Sequence, residues 1–248
     1  MSKIVLTASS RVGCVRSNNE DMILANDRFI RSDIFQTEFV TENSDRFVVA
    51  VADGMGGHNA GEVASELALT NLKYYINDLP RGMTSAEFEE AIIHWLQSAN
   101  NTINSRGQAN KEQANMGTTL VGILYYQEKY YSMNCGDSRL YRLRDGHLKQ
   151  LTTDHSLNAM SGVTKHSNVI TNCLGAGCTH PYVDLVELTG DVLVGDIYLL
   201  CSDGLNDMLP DDVIEQLLCQ EVSANGLCEA AIEAGGFDNV SACVLSIQ

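Results

Sequence analysis

The chain has 248 residues, 44% hydrophobic and 19% charged, which is enough apolar material for a large core and too little charge for wholesale disorder. Its 32 acidic against 16 basic residues give a net charge of −16, which argues against non-specific binding to nucleic acid or to an anionic membrane. No run approaches the roughly 18 apolar residues of a membrane span. The stretch Met1–Arg11 is too short in apolar residues for a signal peptide, so a cytoplasmic protein is expected.

In chain order, Ile4–Ser9 and Met22–Asn26 read as short strands, with a polar, irregular loop or hairpin extension over Arg28–Asp45. Phe47–Ala52 is a continuous apolar run ending on Asp53, the pattern of a buried strand that delivers an acid at its end. Gly61–Asn77 has apolar residues at helical spacing, and Pro80-Arg81-Gly82 breaks it. A second helix starts near Ser85 with Thr84 as its cap, and Trp95 falls on its core face. Gly107–Asn115 is a loop. Strands follow at Thr118–Tyr126, Lys129–Cys135, Arg139–Arg144 and His147–Leu151, with turns at Gln127-Glu128 and Asp145-Gly146. Patterning fades after Asp154 and resumes with strands at Tyr182–Leu188 and Ile197–Cys201, helices at Asp211–Gln220 and Ser223–Ala234, and a strand at Val240–Ile247. Helices in two batches between hairpin-linked strands favour antiparallel sheets with helices layered outside. The eight cysteines form no C-x-x-C pair and are expected to be small, buried, reduced side chains.

Three apolar strands deliver or receive acids: Phe47–Ala52 into Asp53, Ile197–Cys201 towards Asp203, and Val240–Ile247 from Asp238. Each acid alone has a plainer reading, since Asp-Gly marks turns. If the strand ends meet, however, the carboxylates need a cation, and an all-oxygen site favours magnesium, manganese or calcium over zinc. Two such ions about 3.5–4 Å apart activate a water and clamp a phosphoryl group. One arginine nearby, Arg16, would suit a phosphate.

The series Arg16-Ser-Asn-Asn-Glu20-Asp21, Asp53-Gly-Met-Gly-Gly-His58, Gly117-Thr-Thr, Gly136-Asp137-Ser-Arg, Asp154-His-Ser, Ser202-Asp203-Gly and Asp238-Asn239 resembles the ordered motifs of the type 2C metal-dependent Ser/Thr protein phosphatases, compact bacterial members in particular. The resemblance spans essentially the whole chain. It implies an α+β fold, a four-layer α-β-β-α sandwich of two packed antiparallel sheets flanked by helices. It implies one catalytic domain over residues 1–248, with a shortened flap at about residues 155–170.

The implied activity is hydrolysis of phosphoserine and phosphothreonine by attack of a hydroxide bridging two Mn²⁺ or Mg²⁺ ions. By the same resemblance Asp53 bridges the two metals, the Gly54 carbonyl joins one, and Asp203 and Asp238 complete the other. Glu20 and Asp21 act through water, Asp137 with Asp203 holds a weaker third ion, and Arg16 grips phosphate oxygens. Met55 stands where animal members carry a histidine proposed as general acid, and His58 reads as structural. His155, His166 and His180 are expected to be structural or surface residues. No cysteine lies in a C-x₅-R phosphate loop, which argues against cysteine-based phosphatase chemistry. The expected partners are phosphoproteins and a cognate Ser/Thr kinase, with no nucleic acid and no membrane insertion, and the protein is expected to act as a monomer. The alternatives are a degenerate phosphatase fold acting as a binding module, which should have lost a metal acid, and a small-molecule phosphomonoesterase or a partner-switching phosphatase of a sigma-factor pathway.

Overall fold

A computed structural model describes residues 3–41, 45–56, 60–161 and 169–248. In chain order the strands and helices are β1 (Lys3–Arg11), β2 (Met22–Ala25), β3 (Arg28–Ile30), β4 (Ile34–Val40), β5 (Arg46–Ala52), β6 (Gly54–Met55), α1 (Ala60–Asp78) and α2 (Ser85–Ala109). There follow β7 (Gly117–Thr118), β8 (Leu120–Tyr126), β9 (Lys129–Cys135), β10 (Arg139–Arg144), β11 (His147–Gln150), α3 (Leu157–Ser161), β12 (Leu174–Gly175) and β13 (Asp184–Glu187). The chain closes with β14 (Ile197–Cys201), α4 (Asp203–Asn206), α5 (Asp211–Cys219), α6 (Ala224–Glu233) and β15 (Val240–Ile247).

Two six-stranded antiparallel sheets pack face to face. One runs β11-β10-β14-β15-β1-β4 and the other β13-β9-β8-β5-β2-β3. Helices α1 and α2 cover the outer face of the second sheet, and α4, α5 and α6 cover the first. The four-layer α+β sandwich expected from the sequence is therefore the architecture. Its physical basis is visible in β5, a continuous apolar run that alternates between two cores. Phe47, Val49 and Val51 face the opposite sheet, while Val48, Ala50 and Ala52 face α1 and α2. Strand β15 divides likewise, with Cys243, Leu245 and Ile247 between the sheets and Val240, Ala242 and Val244 under α4–α6.

Local signals hold where chemistry is specific. Thr84 caps α2 in a reciprocal box with Glu87, whose N–H donates to the Thr84 hydroxyl at 3.3 Å. Trp95 is buried in the core. Gln127-Glu128 and Asp145-Gly146 all have positive φ, as tight hairpins between twisted strands require.

Four expectations need correction. Of the two readings of residues 28–45, the irregular loop fails among the described residues: β3 closes a hairpin on β2, and β4 is an edge strand in which half-buried Phe35, Thr37 and Phe39 alternate with exposed Ile34, Gln36 and Glu38. The run from Thr118 to Tyr126 is not one strand, because Thr118 ends β7 in a small three-stranded sheet (β12-β7-β6) before β8 starts at Leu120. Helix α2 continues to Ala109, and a 3₁₀ turn at Lys111–Gln113 follows where a loop was expected. Finally, Cys14 and Cys219 are exposed, although all eight cysteines are free thiols. His58, His166 and residues 162–168, where a shortened flap is expected, lie outside the described residues. Among the described residues no helix is long and apolar enough to cross a membrane.

Candidate active site

The candidate site lies where the ends of both sheets meet. In one sheet β2 pairs with β5, Met22 opposite Ala52, so Asp21 and Asp53 stand side by side just beyond the paired ends. In the other, β14 pairs with β15, Cys201 opposite Ala242, so Ser202-Asp203 and Asp238-Asn239 flank the corresponding edge. The segment from Arg11 to Asp21 crosses from the first sheet to the second and carries Arg16 and Glu20. Asn239 ties this crossing down. Its amide donates to the carbonyls of Val12 at 2.9 Å and Asn18 at 2.8 Å, and its side-chain oxygen accepts the Glu20 N–H at 2.8 Å.

The glycines beside these acids are there for close approach. A Cβ on Gly54 would sit 2.2 Å from the Gly61 carbonyl and 2.5 Å from that of Glu20. A Cβ on Gly204 would sit 1.9 Å from the Asn239 carbonyl. The Asp-Gly pairs at 53 and 203 are thus contacts between motif segments, unlike the hairpin at Asp145-Gly146. Around Asp53, the Thr118 hydroxyl and the Thr119 N–H both donate to its carbonyl at 2.9 Å, and its own N–H donates to the Thr119 hydroxyl at 3.1 Å.

Arg16, Glu20, Asp53, Gly54, Met55, Asp203 and Asp238 line one cleft of about 630 Å³. The Arg16 guanidinium is 2.6 Å from Asp238 Oδ2, a contact that strengthens its hold on its proton. Asp21 does not line the cleft; it is wholly buried and accepts a hydrogen bond from Ser202 Oγ at 2.7 Å. Asp137 is also largely buried and lies close enough to Asp53 and Asp203 for mutual repulsion.

Burial and crowding raise these carboxyls far above the ordinary carboxylate range. Burial, then repulsion from Asp21, Asp203, Asp137 and Asp238, holds Asp53 well up. Asp21 is pushed to about 7, chiefly by burial against the opposing effect of Ser202. Asp137 reaches about 7 by burial and then Asp203; Asp203 reaches about 6 by burial and then Asp207 and Asp238. Glu20 is raised by burial despite Arg16. This is the electrostatic signature of a functional site rather than of a structural ion-pair network.

The residues present suit hard divalent cations. The donors are all oxygen. Asp53 and Asp203 are in hydrogen-bonding contact, so two carboxylates there must share either a proton or a cation. One buried oxygen each of Asp21 and Asp137 has no hydrogen-bond partner. The carboxylates surround the cleft rather than close on one point: among the described residues no three His, Cys, Asp or Glu side chains already form a cage for an ion.

The family described as Protein phosphatase 2C matches residues 27–228. The serine/threonine protein phosphatase PstP of Mycobacterium tuberculosis is 34% identical over 97% of this chain and 44% of its own length. The chain belongs to the protein phosphatase 2C family. The serine/threonine phosphatase stp of Listeria monocytogenes is 33% identical over 82% of this chain and 85% of its own. The crystal structure of the PstP catalytic domain in complex with two manganese ions superposes with a TM-score of 0.78 at 34% identity, covering 100% of this chain and 99% of that one. The chain therefore spans less than half of the full-length mycobacterial relative and nearly all of its catalytic domain.

Of the residues expected at the site, Arg16, Glu20, Asp53, Gly54, Asp203 and Asp238 come together in the cleft, while Asp21 and Asp137 stand behind its lining. His155 is structural: its Nδ1 accepts the Gly136 N–H at 3.1 Å and the Asn172 amide at 2.8 Å, which leaves Nε2 to donate to Asp184 at 2.9 Å. His180 is exposed. Arg139 makes a fork with Asp154, at 3.0 Å from Nε and 2.7 Å from Nη2, which locks the Asp137 and Asp154 segments together. Sequence reasoning missed Ser202 and Asn239 as organisers, and Asp207 as a further acid acting on Asp203 and Asp137. The spacing Asp203-x-x-x-Asp207 at a short helix was the available signal for the last.

Proposed function

We propose that this chain is a metal-dependent protein phosphatase that hydrolyses phosphoserine and phosphothreonine on proteins. The observation that carries the reading is the meeting of Asp53, Asp203 and Asp238 with the Arg16 guanidinium in one cleft. Two Mn²⁺ or Mg²⁺ ions would neutralise the carboxylates and activate a water for attack on phosphorus. Asp53, the Gly54 carbonyl, Asp203 and Asp238 would hold them, with Glu20 and Asp21 reaching them through water and Asp137 joining Asp203 at a weaker third position. Arg16 orients two phosphate oxygens as a planar fork, releasing Asp238 from its present contact. Met55 carries no proton to give, so leaving-group protonation falls to another group in the cleft.

The family match and the curated relatives support this reading. We further infer one catalytic unit over residues 1–248 with a short flap, working as a monomer in the cytoplasm to reverse a bacterial Ser/Thr kinase. The deciding experiment is phosphate release from a phosphothreonine peptide in EDTA, then Mn²⁺, then Mg²⁺, beside Asp238→Asn. Turnover that needs metal and is lost in the variant supports the assignment. A folded protein inactive with either ion, or a fully active variant, overturns it.

A further inference from the structure

Beyond its acids, the cleft is lined by Ile170, Thr171, Cys173, Ala176, Gly177 and Cys178. This segment is tied to the acidic residues through the small sheet. Gly54 and Met55 pair with Thr118 and Gly117, which pair in turn with Leu174 and Gly175. Beyond Gly175 the chain turns through three consecutive positive φ values, +80° at Gly175, +49° at Ala176 and +75° at Gly177. Alanine adopts such a conformation only when its surroundings impose it.

Packing fixes only its start: a Cβ on Gly175 would sit 2.5 Å from Ile103 Cγ2 and from the Met116 carbonyl, whereas a second recess of about 260 Å³, lined by Asn104, Lys111 and Gly177, opens beside the tip. Ala176 and Gly177 are exposed. Hydrogen bonds hold the rest of the segment. Every N–H from residue 175 to 178 is taken: Gly175 by Asn100 Oδ1 at 2.8 Å, Ala176 by the Met116 carbonyl at 2.7 Å, Gly177 by Asn104 Oδ1 at 3.0 Å, and Cys178 by the Gly175 carbonyl at 2.8 Å. The Cys178 carbonyl accepts both asparagine amides, at 2.9 Å and 3.0 Å. Asn100 and Asn104 lie one turn apart on α2, where asparagine is a poor helix former, and Asn100 is buried.

We propose that Asn100 and Asn104 are positioning residues for substrate recognition: they fix segment 175–178 as the wall along which the peptide chain of a phosphoprotein lies. The inference rests on the phosphatase reading and adds its specificity element. Between the two cysteines the wall carries no side chain larger than leucine, and its exposed tip is Ala176-Gly177. An extended peptide can therefore approach it main chain to main chain. A small aryl phosphate has no peptide chain to lay along this wall.

The test is steady-state kinetics with a phosphothreonine peptide and with p-nitrophenyl phosphate in Mn²⁺, for the wild type, Asn104→Ala and Gly177→Ala. The second variant perturbs the wall by a different route: Gly177 needs its left-handed φ, yet a Cβ there meets nothing within 4 Å. Both variants should raise KM for the peptide roughly fivefold or more, with kcat and both constants for p-nitrophenyl phosphate within about twofold. Equal losses on the two substrates, or no change on either, overturn the proposal. A wild type that hydrolyses neither substrate sinks the phosphatase reading itself, which is a distinct result.

Discussion

Ser202 Oγ donates a 2.7 Å hydrogen bond to Asp21 Oδ2, joining a residue at the end of β14 in one sheet to one at the start of β2 in the other. The bond links the sheets at the edge where the candidate site lies, and the same Ser202 oxygen accepts the Ser241 N–H at 3.0 Å. Asp21 has no partner at Oδ1. Ser202→Ala should therefore cost about 1–3 kcal/mol at pH 8, where the buried carboxylate is charged. The loss should shrink at pH 5, where Asp21 is protonated, given its upward shift to about 7. Urea midpoints at the two pH values check this, and equal losses at both would count against it.

Metal-free protein should lose stability as pH rises from about 4 to 7. Asp21 and Asp137 titrate near 7 and Asp203 near 6, all raised chiefly by burial, against about 3.9 in the unfolded chain. Within that window the native state binds more protons than the unfolded state, so stability falls with rising pH and levels off above it. Asp191 and Asp196, lowered by Arg142 and Arg144, act oppositely, but only as pH falls below the unfolded carboxylate value. Mn²⁺ held by these acids, as proposed, would need them deprotonated, so its stabilisation should be larger at pH 7.5 than at pH 5. Thermal melts with and without Mn²⁺ across this range test the point; a metal-free melting temperature that climbs from pH 5 to 7.5 would contradict it.

How much of this was legible beforehand depended on the kind of signal. Strand β5 announced itself because a fully buried strand is a continuous apolar run with an acid at its end. Strand β15 was readable to the residue, since Asp238-Asn239 bounds it. Strand β4 was not, because an edge strand buries Phe35, Thr37, Phe39 and Val40 only in part, between exposed Ile34, Gln36 and Glu38. The acids were legible one by one and their mutual position was not. Asp203 and Asp238 come from paired strands, but Asp53 comes from the opposing sheet, and nothing in local patterning says which sheets face each other. Asn239 drew notice only as part of a motif, because its work is hydrogen bonding to Val12, Asn18 and Glu20, more than two hundred residues away in sequence.

Arg16 and Asp238 should separate by kinetic signature. If Arg16 is the phosphate fork we propose, gripping phosphate alike in ground and transition states, Arg16→Ala should raise KM roughly tenfold while kcat stays within a fewfold. On the proposed assignment Asp238→Asn removes a cation ligand; metal affinity should then fall at least tenfold, since even an outer-sphere partner costs that much. Isothermal titration with Mn²⁺ distinguishes the two without any turnover, because Arg16→Ala should bind the metal as well as the wild type or better, Asp238 being freed from its 2.6 Å contact.

Gly204→Ala and Gly146→Ala form a matched pair, since both glycines follow an aspartate. At Gly146 the requirement is conformational: φ is +77° and a Cβ would meet nothing within 4 Å. Its replacement should cost about 1–2 kcal/mol and leave the response to Mn²⁺ intact. At Gly204 the requirement is space, because a Cβ would fall 1.9 Å from the Asn239 carbonyl. The main chain must give way there, and Asn239 holds both the 12–20 crossing and the neighbouring Asp238. Overpacking of this kind costs at least about 1–3 kcal/mol, and here the displaced strand end carries Asp238, a proposed cation ligand. Gly204→Ala should thus lose most of the Mn²⁺-induced rise in melting temperature as well as stability. A variant that is destabilised yet keeps the full metal response would mean that the backbone contact at Asn239 supports the fold and not the site.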